Sequence, residues 1–291
     1  MPTEGNKPTH KGLKKGLYLI PTAFTAANIA MGFLAVLSSV RGFQIIAANP
    51  EQAAVYFEYA AKAIALAIIF DTLDGRLARL TRTATEIGVQ LDSLADVLTF
   101  GIAPVVLIYG WAIGATFSET NSLHAFGVFV LFMYLMCGSF RLARFNLQAT
   151  RPRVLIEGTP KVDKRNFVGL PIPPAAGLLA SIVYLSPLPL STLSENMSNI
   201  YTILIMILVA GLGLLMVSTI RYTSFKTVGT GRRSVYLILV IAALGMLIWL
   251  YSRYMLFGIA SAYVAHGIVW YVLGFLNPKR KKSSGELSVE N

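Results

Sequence analysis

Long apolar runs separated by shorter polar stretches recur along the chain from Leu17 to Leu276. Runs of about 20 apolar residues can cross the hydrocarbon core of a bilayer as helices. Because the backbone must satisfy its own hydrogen bonds there, the pattern predicts an all-α fold, a polytopic membrane helical bundle with about eight transmembrane helices. The predicted spans cover residues 17–40, 53–80, 86–113, 123–146, a fifth that opens at 166, 199–220, 235–250 and 255–276.

The spacing of the apolar runs divides the chain into four parts. We expect the first part to lie along the membrane surface and the last to be largely disordered. Pro104 predicts a kink in the third helix, and the three prolines of segment 166–177 predict a distorted start to the fifth. The four parts are a short basic N-terminal segment (1–16), a six-helix core (17–226), two additional C-terminal transmembrane helices (227–277) and a basic tail (278–291).

Composition and charge placement support this interpretation. Hydrophobic residues make up 55% of the chain and charged residues 13%, and the formal net charge is +11. Of the 25 Lys and Arg residues, 22 fall on one side of the predicted bundle, which is the positive-inside pattern of a membrane protein. We therefore expect no nucleic-acid partner, and we expect both termini to face the cytoplasm from the cell membrane. The single cysteine, Cys137, excludes an intramolecular disulfide framework.

Four of the five aspartates fall within one short segment that lies between two apolar runs of the sequence. A carboxylate in such surroundings is costly unless it is paired or bound to a metal. Asp71 and Asp74 share one helix face, and Asp92 and Asp96 share another, because residues three or four apart lie on the same face. If residues 81–85 turn the chain, two antiparallel helices bring the four groups together at the cytoplasmic side. Carboxylate oxygens suit hard divalent cations such as Mg²⁺ or Mn²⁺, whereas the alternative is a set of helix caps or solvated residues.

Residues beside Asp74 favour a phosphorylated ligand. Gly75 and Ala78 leave an open helix face where a bulky group can approach the backbone. Arg79 follows one turn after Gly75, and its guanidinium group suits phosphate. The sequence therefore places candidate cation and phosphate contacts on one helix.

Further polar residues in apolar surroundings have two interpretations each. Thr25 and Asn28 in the first helix either face a ligand or pack helix against helix. Arg141 and Arg144, three residues apart, can bind an anion together, and Lys226 is a third candidate. Their alternative role is that of positive-inside anchors or contacts to lipid head groups.

The acidic segment resembles the signature of the CDP-alcohol phosphotransferase family at eight fixed positions. The stretches LDSLADVLTFGIAPV, FRLARFN, FVGLPIPPAA and LMVSTIRYTSFK are similar to the phosphatidylserine synthase branch, so the resemblance covers most of residues 20–226. A motif with this many fixed spacings is far more specific than a single glycine loop. The eight positions are Asp71, Asp74, Gly75, Ala78, Arg79, Gly88, Asp92 and Asp96.

The resemblance implies a homodimeric enzyme that transfers a phosphatidyl group from CDP-diacylglycerol to the hydroxyl group of L-serine, giving phosphatidylserine and CMP among membrane lipids. It implies that the four aspartates hold two divalent metal ions, Mg²⁺ or Mn²⁺, and that Asp96 is the general base. Arg141, Arg144 and Lys226 are the candidates for binding the serine carboxylate. The expected CDP-lipid contacts are Asp74, Gly75, Ala78, Arg79, Thr85, Gly88, Thr25 and Asn28.

The chemistry of the residues is compatible with direct transfer, since no Ser, Cys or His is convincingly placed for a covalent intermediate. Three alternatives stay open. The acceptor can be glycerol phosphate or inositol phosphate instead of serine, and the donor can be an archaeal ether lipid. An ion-coupled transporter also uses carboxylates within the membrane, but it predicts ionisable groups near the bilayer midplane in two related halves.

Overall fold

The protein, a computed structural model that describes residues 11–81, 86–150, 166–218, 220–223 and 251–276, is a bundle of helices. One short antiparallel ribbon accompanies them, with Phe167 opposite Tyr222. The helices are α1 (Lys11–Ile45), α2 (Pro50–Thr81), α3 (Glu86–Asp96), α4 (Ala103–Ile108), α5 (Gly114–Thr116), α6 (Ser122–Thr150), α7 (Ile172–Leu185), α8 (Glu195–Val217) and α9 (Ser252–Leu276), and the ribbon pairs β1 (Asn166–Val168) with β2 (Arg221–Thr223).

Among the described residues, six helical segments are long and apolar enough to cross a membrane, which confirms the predicted multi-pass helical bundle. Helix α9 corresponds to the predicted eighth helix, whereas the predicted seventh, 235–250, lies outside the described residues. The six segments are Thr22–Ile45, Pro50–Leu77, Ile87–Thr116, Ser122–Leu147, Ile172–Thr192 and Glu195–Val217.

The first helix begins earlier than the apolar pattern predicts. Helix α1 starts at Lys11, so residues 11–16 of the basic segment continue the first span directly. The early start has a local reason, because residues 11–20 contain no proline. They are also rich in Lys and Leu, which are good helix formers. The basic residues of this stretch therefore belong to the end of α1, and residues 1–10 lie outside the described part.

The third span is less regular than the single helix predicted for 86–113. Two π-helical turns, Val97–Ile102 and Tyr109–Ile113, interrupt it, and Pro104 lies in the first turn of the short α4 between them. A π-turn widens the helix and loosens its backbone bonding, which admits a side chain from outside. The Tyr134 hydroxyl group of α6 donates a hydrogen bond to the Phe100 carbonyl oxygen at 3.1 Å. The irregularity thus ties α6 to the span that carries half of the acidic cluster.

The proline-rich segment has the distorted start that its sequence predicts. Its first residues pair with β2, and α7 begins only at Ile172, after the extended Pro171. Gly169 connects strand and helix with a φ of 84°, a left-handed conformation that favours glycine. The sixth helix ends at Val217, before the predicted boundary at 220, because the chain turns there into the ribbon.

Close approach of α1 to the first π-turn depends on Gly32. A Cβ atom at this position would lie 2.3 Å from Thr99 Oγ1 and 3.0 Å from the Thr99 Cα atom. The Thr99 hydroxyl group donates a hydrogen bond to the Asn28 carbonyl oxygen at 3.3 Å, one turn before Gly32. The absence of a side chain on Gly32 therefore sets how closely α1 packs against the third span.

At the other end of the bundle, charged side chains connect α2 with α9. Glu58 Oε2 lies 2.8 Å from Arg253 Nη2, and Glu58 Oε1 lies 2.6 Å from Lys62 Nζ. The hydroxyl groups of Tyr184 and Ser252 lie 2.8 Å apart, which joins α7 to the start of α9. The contacts of Glu58 with Arg253 and Lys62, together with the contact of Tyr184 with Ser252, are called the outer clamp below.

We predict that Gly32→Ala lowers the free energy of unfolding by about 1 to 3 kcal/mol, the range for overpacking a tight interior. The physical reason is the contact with both the backbone and the hydroxyl group of Thr99. Heating detergent-solubilised protein while following tryptophan fluorescence measures the change. Gly211→Ala is the matched control, because a Cβ atom there meets nothing within 4 Å. Equal thermal unfolding midpoints for Gly32→Ala and Gly211→Ala would contradict the conclusion that Gly32 sets the close packing against Thr99.

Candidate active site

The structure brings the aspartates of α2 and α3 together. Carboxylate oxygens of Asp71, Asp74 and Asp92 all lie within 4.8 Å of one another. The side chain of Asp96 completes the group through a hydrogen bond with Asp71. The link between the two helices, residues 82–85, lies outside the described part, yet the helix faces meet as the spacing of the four residues predicts.

Mutual repulsion makes this cluster unstable as four bare anions. Two unit charges 4.8 Å apart repel with about 3.5 kcal/mol at an effective dielectric constant of about 20. The three pairs among Asp71, Asp74 and Asp92 then amount to roughly 10 kcal/mol, which is comparable with the whole net stability of a domain. Protons or cations must therefore neutralise part of the charge.

The ligand atoms of the cluster fit a divalent cation. All are carboxylate oxygens, the donor type that Mg²⁺ and Mn²⁺ prefer. Asp92 Oδ1 and Asp96 Oδ1 are buried and have no hydrogen-bond partner among the described residues. Buried acceptors of this kind need a positive or donating group opposite them. Asp71, Asp74 and Asp92 can together hold a metal ion.

Helix α1 supports the most buried member of the cluster. Asp74 is only 4% exposed, and Thr25 Oγ1 donates a hydrogen bond to its Oδ2 atom at 3.0 Å. The backbone N–H of Gly75 also donates to this carboxylate. One turn after Thr25, Asn28 is fully buried, and neither amide atom of its side chain has a partner within the described chain. The polar patch of α1 thus lies against the acidic cluster.

The two arginines at the end of α6 have different surroundings. Arg141 is partly buried and interacts electrostatically with Asp96, and its Nε atom is buried without a partner among the described residues. Arg144 is exposed. Asn146 Nδ2 donates a hydrogen bond to Ser93 Oγ at 2.8 Å, which holds this end of α6 against α3. Arg141 is therefore the member of the pair that lies beside the cluster.

Other predicted site residues are only partly described. Gly75 is half-buried in α2, and Gly88 is exposed on α3. Ala78 and Arg79 belong to α2, but their side chains lie outside the described part. Thr85 and Lys226 lie outside the described part altogether.

One residue near the site escaped the sequence analysis. Tyr263 of α9 interacts electrostatically with Arg141, more than one hundred residues earlier in the chain. A tyrosine in an apolar helix gives no local signal of such a role. Only the packing of α9 against the bundle, which motif spacing cannot reveal, places this tyrosine within electrostatic range of the arginine.

A profile of the CDP-alcohol phosphatidyltransferase family matches residues 18–215, a range that contains the whole acidic cluster. The chain belongs to this family. The match begins in α1 and ends in α8, so α9 lies beyond the matched range.

Named members of the CDP-alcohol phosphatidyltransferase family align with most of the chain. A CDP-diacylglycerol–serine O-phosphatidyltransferase of Helicobacter pylori strain 26695 is 33% identical over 228 residues, which cover 78% of this chain and 81% of the relative. The protein of the same name from strain J99 is 31% identical over 256 residues, covering 88% and 92%. An archaetidylserine synthase of Methanothermobacter thermautotrophicus is 32% identical over 212 residues, covering 72% of each chain.

We predict opposite effects of Asp92→Asn on the metal-free and metal-loaded protein. Removing one charge relieves repulsion, so the thermal midpoint in a chelator should rise by a few degrees. Removing one ligand should abolish most of the stabilisation that Mn²⁺ or Mg²⁺ gives. Thermal unfolding with and without cation measures both. Glu119→Gln, on an exposed loop, is the control that should leave both midpoints unchanged. An undiminished cation shift in Asp92→Asn would exclude this residue as a ligand.

Proposed function

We propose that the protein transfers a phosphatidyl group from CDP-diacylglycerol to the hydroxyl group of L-serine and releases CMP. The observation that carries this proposal is the carboxylate cluster, which lies inside the family match. The names of the aligned H. pylori proteins give the donor and the acceptor. The cluster needs protons or cations for its own stability, and a pyrophosphate substrate needs cations for its charge.

Asp71, Asp74, Asp92 and Asp96 would hold two divalent cations, Mg²⁺ or Mn²⁺. Such ions neutralise charge on the pyrophosphate and on the departing CMP. Thr25 keeps the Asp74 carboxylate in one orientation through its hydrogen bond. This bond holds one of the proposed oxygen ligands in place before substrate arrives, which favours accurate positioning.

Asp96 is the best-placed general base. Its Oδ1 atom has no partner in the described chain, so this oxygen is available to accept the proton of the serine hydroxyl group. The hydroxyl oxygen then attacks the lipid-linked phosphorus directly, and the bond from that phosphorus to the CMP oxygen breaks.

Arg141 is our candidate for binding the serine carboxylate. It lies beside Asp96, and a guanidinium group binds a carboxylate with two hydrogen bonds. The exposed Arg144 does not share this place. Within the described chain, one partly buried arginine near Asp96 suits an acceptor with a single carboxylate better than a phosphorylated alcohol, which would need more positive charge.

The CDP-lipid is proposed to lie between α1 and α2. Thr25 and the buried Asn28 line this side of the cluster, and the side-chain amide of Asn28, which has no partner among the described residues, suits a polar ligand. Arg79 is assigned to a phosphate group. The full set of proposed contacts is Asp74, Gly75, Ala78, Arg79, Thr85, Gly88, Thr25 and Asn28.

The arrangement of the protein in the cell follows from charge placement. We place the acidic cluster and both termini at the cytoplasmic face of the cell membrane, because 22 of the 25 Lys and Arg residues belong to that side. The core 17–226 forms the catalytic unit, the segment 227–277 adds two transmembrane helices, and the active form is a homodimer.

The first test is an acceptor panel. Purified protein with CDP-diacylglycerol and Mn²⁺ should release CMP when L-serine is added, and a chelator should stop the reaction until Mn²⁺ or Mg²⁺ is restored. Asp96→Asn should retain the thermal midpoint within a few degrees and lose at least about 100-fold in rate, as expected for a lost general base. Release of CMP with glycerol phosphate or inositol phosphate but not with serine would assign a different acceptor.

The second test concerns Arg141. Arg141→Ala should raise the KM for L-serine by at least about tenfold, because a charged hydrogen bond contributes roughly 1.5 to 3 kcal/mol. The KM for CDP-diacylglycerol should change less than twofold. Arg144→Ala is the matched control on the same helix, and its exposed position predicts little change in either constant. A rise in both constants for Arg141→Ala would assign this residue to the lipid or to folding.

A further inference from the structure

The outer clamp carries more positive charge than negative. Glu58 Oε1 lies 2.6 Å from Lys62 Nζ, and Glu58 Oε2 lies 2.8 Å from Arg253 Nη2, so two cations share one carboxylate. No further acidic group lies within ion-pair distance of either cation among the residues that the structure describes. Charge without a counter-ion is costly in a membrane-spanning helix. The clamp therefore needs one more anion.

The clamp lies far from the acidic cluster along the membrane normal. Glu58 precedes Asp71 by 13 residues of α2, which is about 20 Å of helix. The hydrocarbon core of a bilayer is about 30 Å thick, so the two charged sites belong to opposite halves of the bilayer. A phosphate group bound at the acidic cluster cannot also contact the clamp.

Both cations are open on one side. The side chains of Lys62 and Arg253 are 46% and 43% exposed, whereas that of Glu58 is 21% exposed. Lys62 Nζ lies 5.6 Å from the ring centroid of Tyr184, and the guanidinium carbon of Arg253 lies 5.4 Å from it. This tyrosine of α7 covers the side of the cations that faces the bundle. Their exposed N–H donors face the membrane.

An exposed apolar stripe of α2 continues from the clamp toward the middle of the bilayer. Lys62 lies within this stripe, whose members are three or four residues apart and therefore share one helix face. Leu66 and Ile69 follow Lys62 by one and two helical turns. The order of charge first and apolar surface deeper matches a phospholipid, with its phosphate at the surface end and its acyl chains inward. The exposed stripe consists of Val55, Tyr59, Lys62, Leu66 and Ile69.

We propose that the outer clamp binds the phosphate group of an anionic phospholipid in the leaflet opposite to the acidic cluster. Lys62 and Arg253 donate hydrogen bonds to the phosphate oxygens, and the acyl chains lie along Leu66 and Ile69. The lipid thereby joins α2 to α9. This site is separate from the proposed transferase reaction and does not depend on it.

Charge selects the occupant. One excess positive charge is balanced by a lipid with a net charge of −1, whereas a zwitterionic lipid brings its own ammonium group beside the phosphate. A second copy of the chain, related by a two-fold axis through this face, would bring the same positive excess toward the first. An anionic lipid therefore fits the clamp better than a phosphatidylcholine or a dimer contact.

The test titrates dioleoylphosphatidylglycerol into micelles of full-length protein in the presence of a chelator, and follows the thermal midpoint. The midpoint of the wild type should rise with lipid, which gives an apparent Kd. Lys62→Gln and Arg253→Gln should each weaken this binding at least about fivefold, since the remaining cation is balanced by Glu58. Arg41→Gln is the control, because Arg41 is exposed on α1 at the same end of the bundle.

Glu58→Gln separates lipid binding from a purely structural role. This change leaves both cations but removes their shared acid, so it should lower the midpoint without lipid and tighten phosphatidylglycerol binding about fivefold. A clamp that serves only folding predicts that no variant changes the lipid response. Unchanged or weaker lipid binding in Glu58→Gln would overturn the proposal. If Arg253→Gln elutes as an aggregate, Lys62→Gln and Glu58→Gln decide.

Two further arms identify the source of the phosphate. Dioleoylphosphatidylcholine and inorganic phosphate, at the same concentrations, should each raise the midpoint much less than phosphatidylglycerol does. An equal rise with either would overturn the assignment to an anionic lipid. No response of the wild type to phosphatidylglycerol, together with cross-linking of Leu66→Cys between two copies, would assign the stripe to a dimer interface instead.

Discussion

Repulsion among carboxylates in poorly solvated surroundings is the constraint on which this structure depends. Two helices hold the acidic side chains of Asp71, Asp74 and Asp92 within 4.8 Å, although each ionised pair is costly. If stability were the only requirement, these carboxylates would be expected to lie apart or to be replaced by uncharged side chains. Keeping them together creates a strong demand for divalent cations, and the same cations are what a pyrophosphate substrate requires.

The rest of the bundle holds that unfavourable arrangement in place. Helix α1 approaches the third span through Gly32 and carries Thr25, whose hydroxyl group bonds to Asp74. Helix α6 is joined to the same span through Tyr134 and Asn146. These contacts come from two sides, so the acidic side chains cannot relax apart without breaking hydrogen bonds elsewhere. Rigidity of this kind positions metal ligands before a substrate binds.

Much of this architecture follows from patterns in the amino-acid sequence, and the exceptions have physical reasons. Apolar runs and the three- and four-residue spacing of the aspartates predict the spans and the meeting of their carboxylates. The π-turns that follow Asp96 are not predictable in this way, because they depend on contacts such as that of Tyr134 with the Phe100 carbonyl. The different surroundings of Arg141 and Arg144 also depend on packing, since both fit the same motif.

The outer clamp has a consequence for how the chain is built into the membrane. Glu58 and its partner Arg253 are 195 residues apart, so at 5 to 20 residues per second about 10 to 40 s of synthesis separate them. Lys62, only four residues away, already pairs with Glu58 and gives this acid a counter-ion within its own helix. The second helix can therefore leave the ribosome and enter the bilayer with the charge of Glu58 matched, well before the last helix arrives to complete the pair.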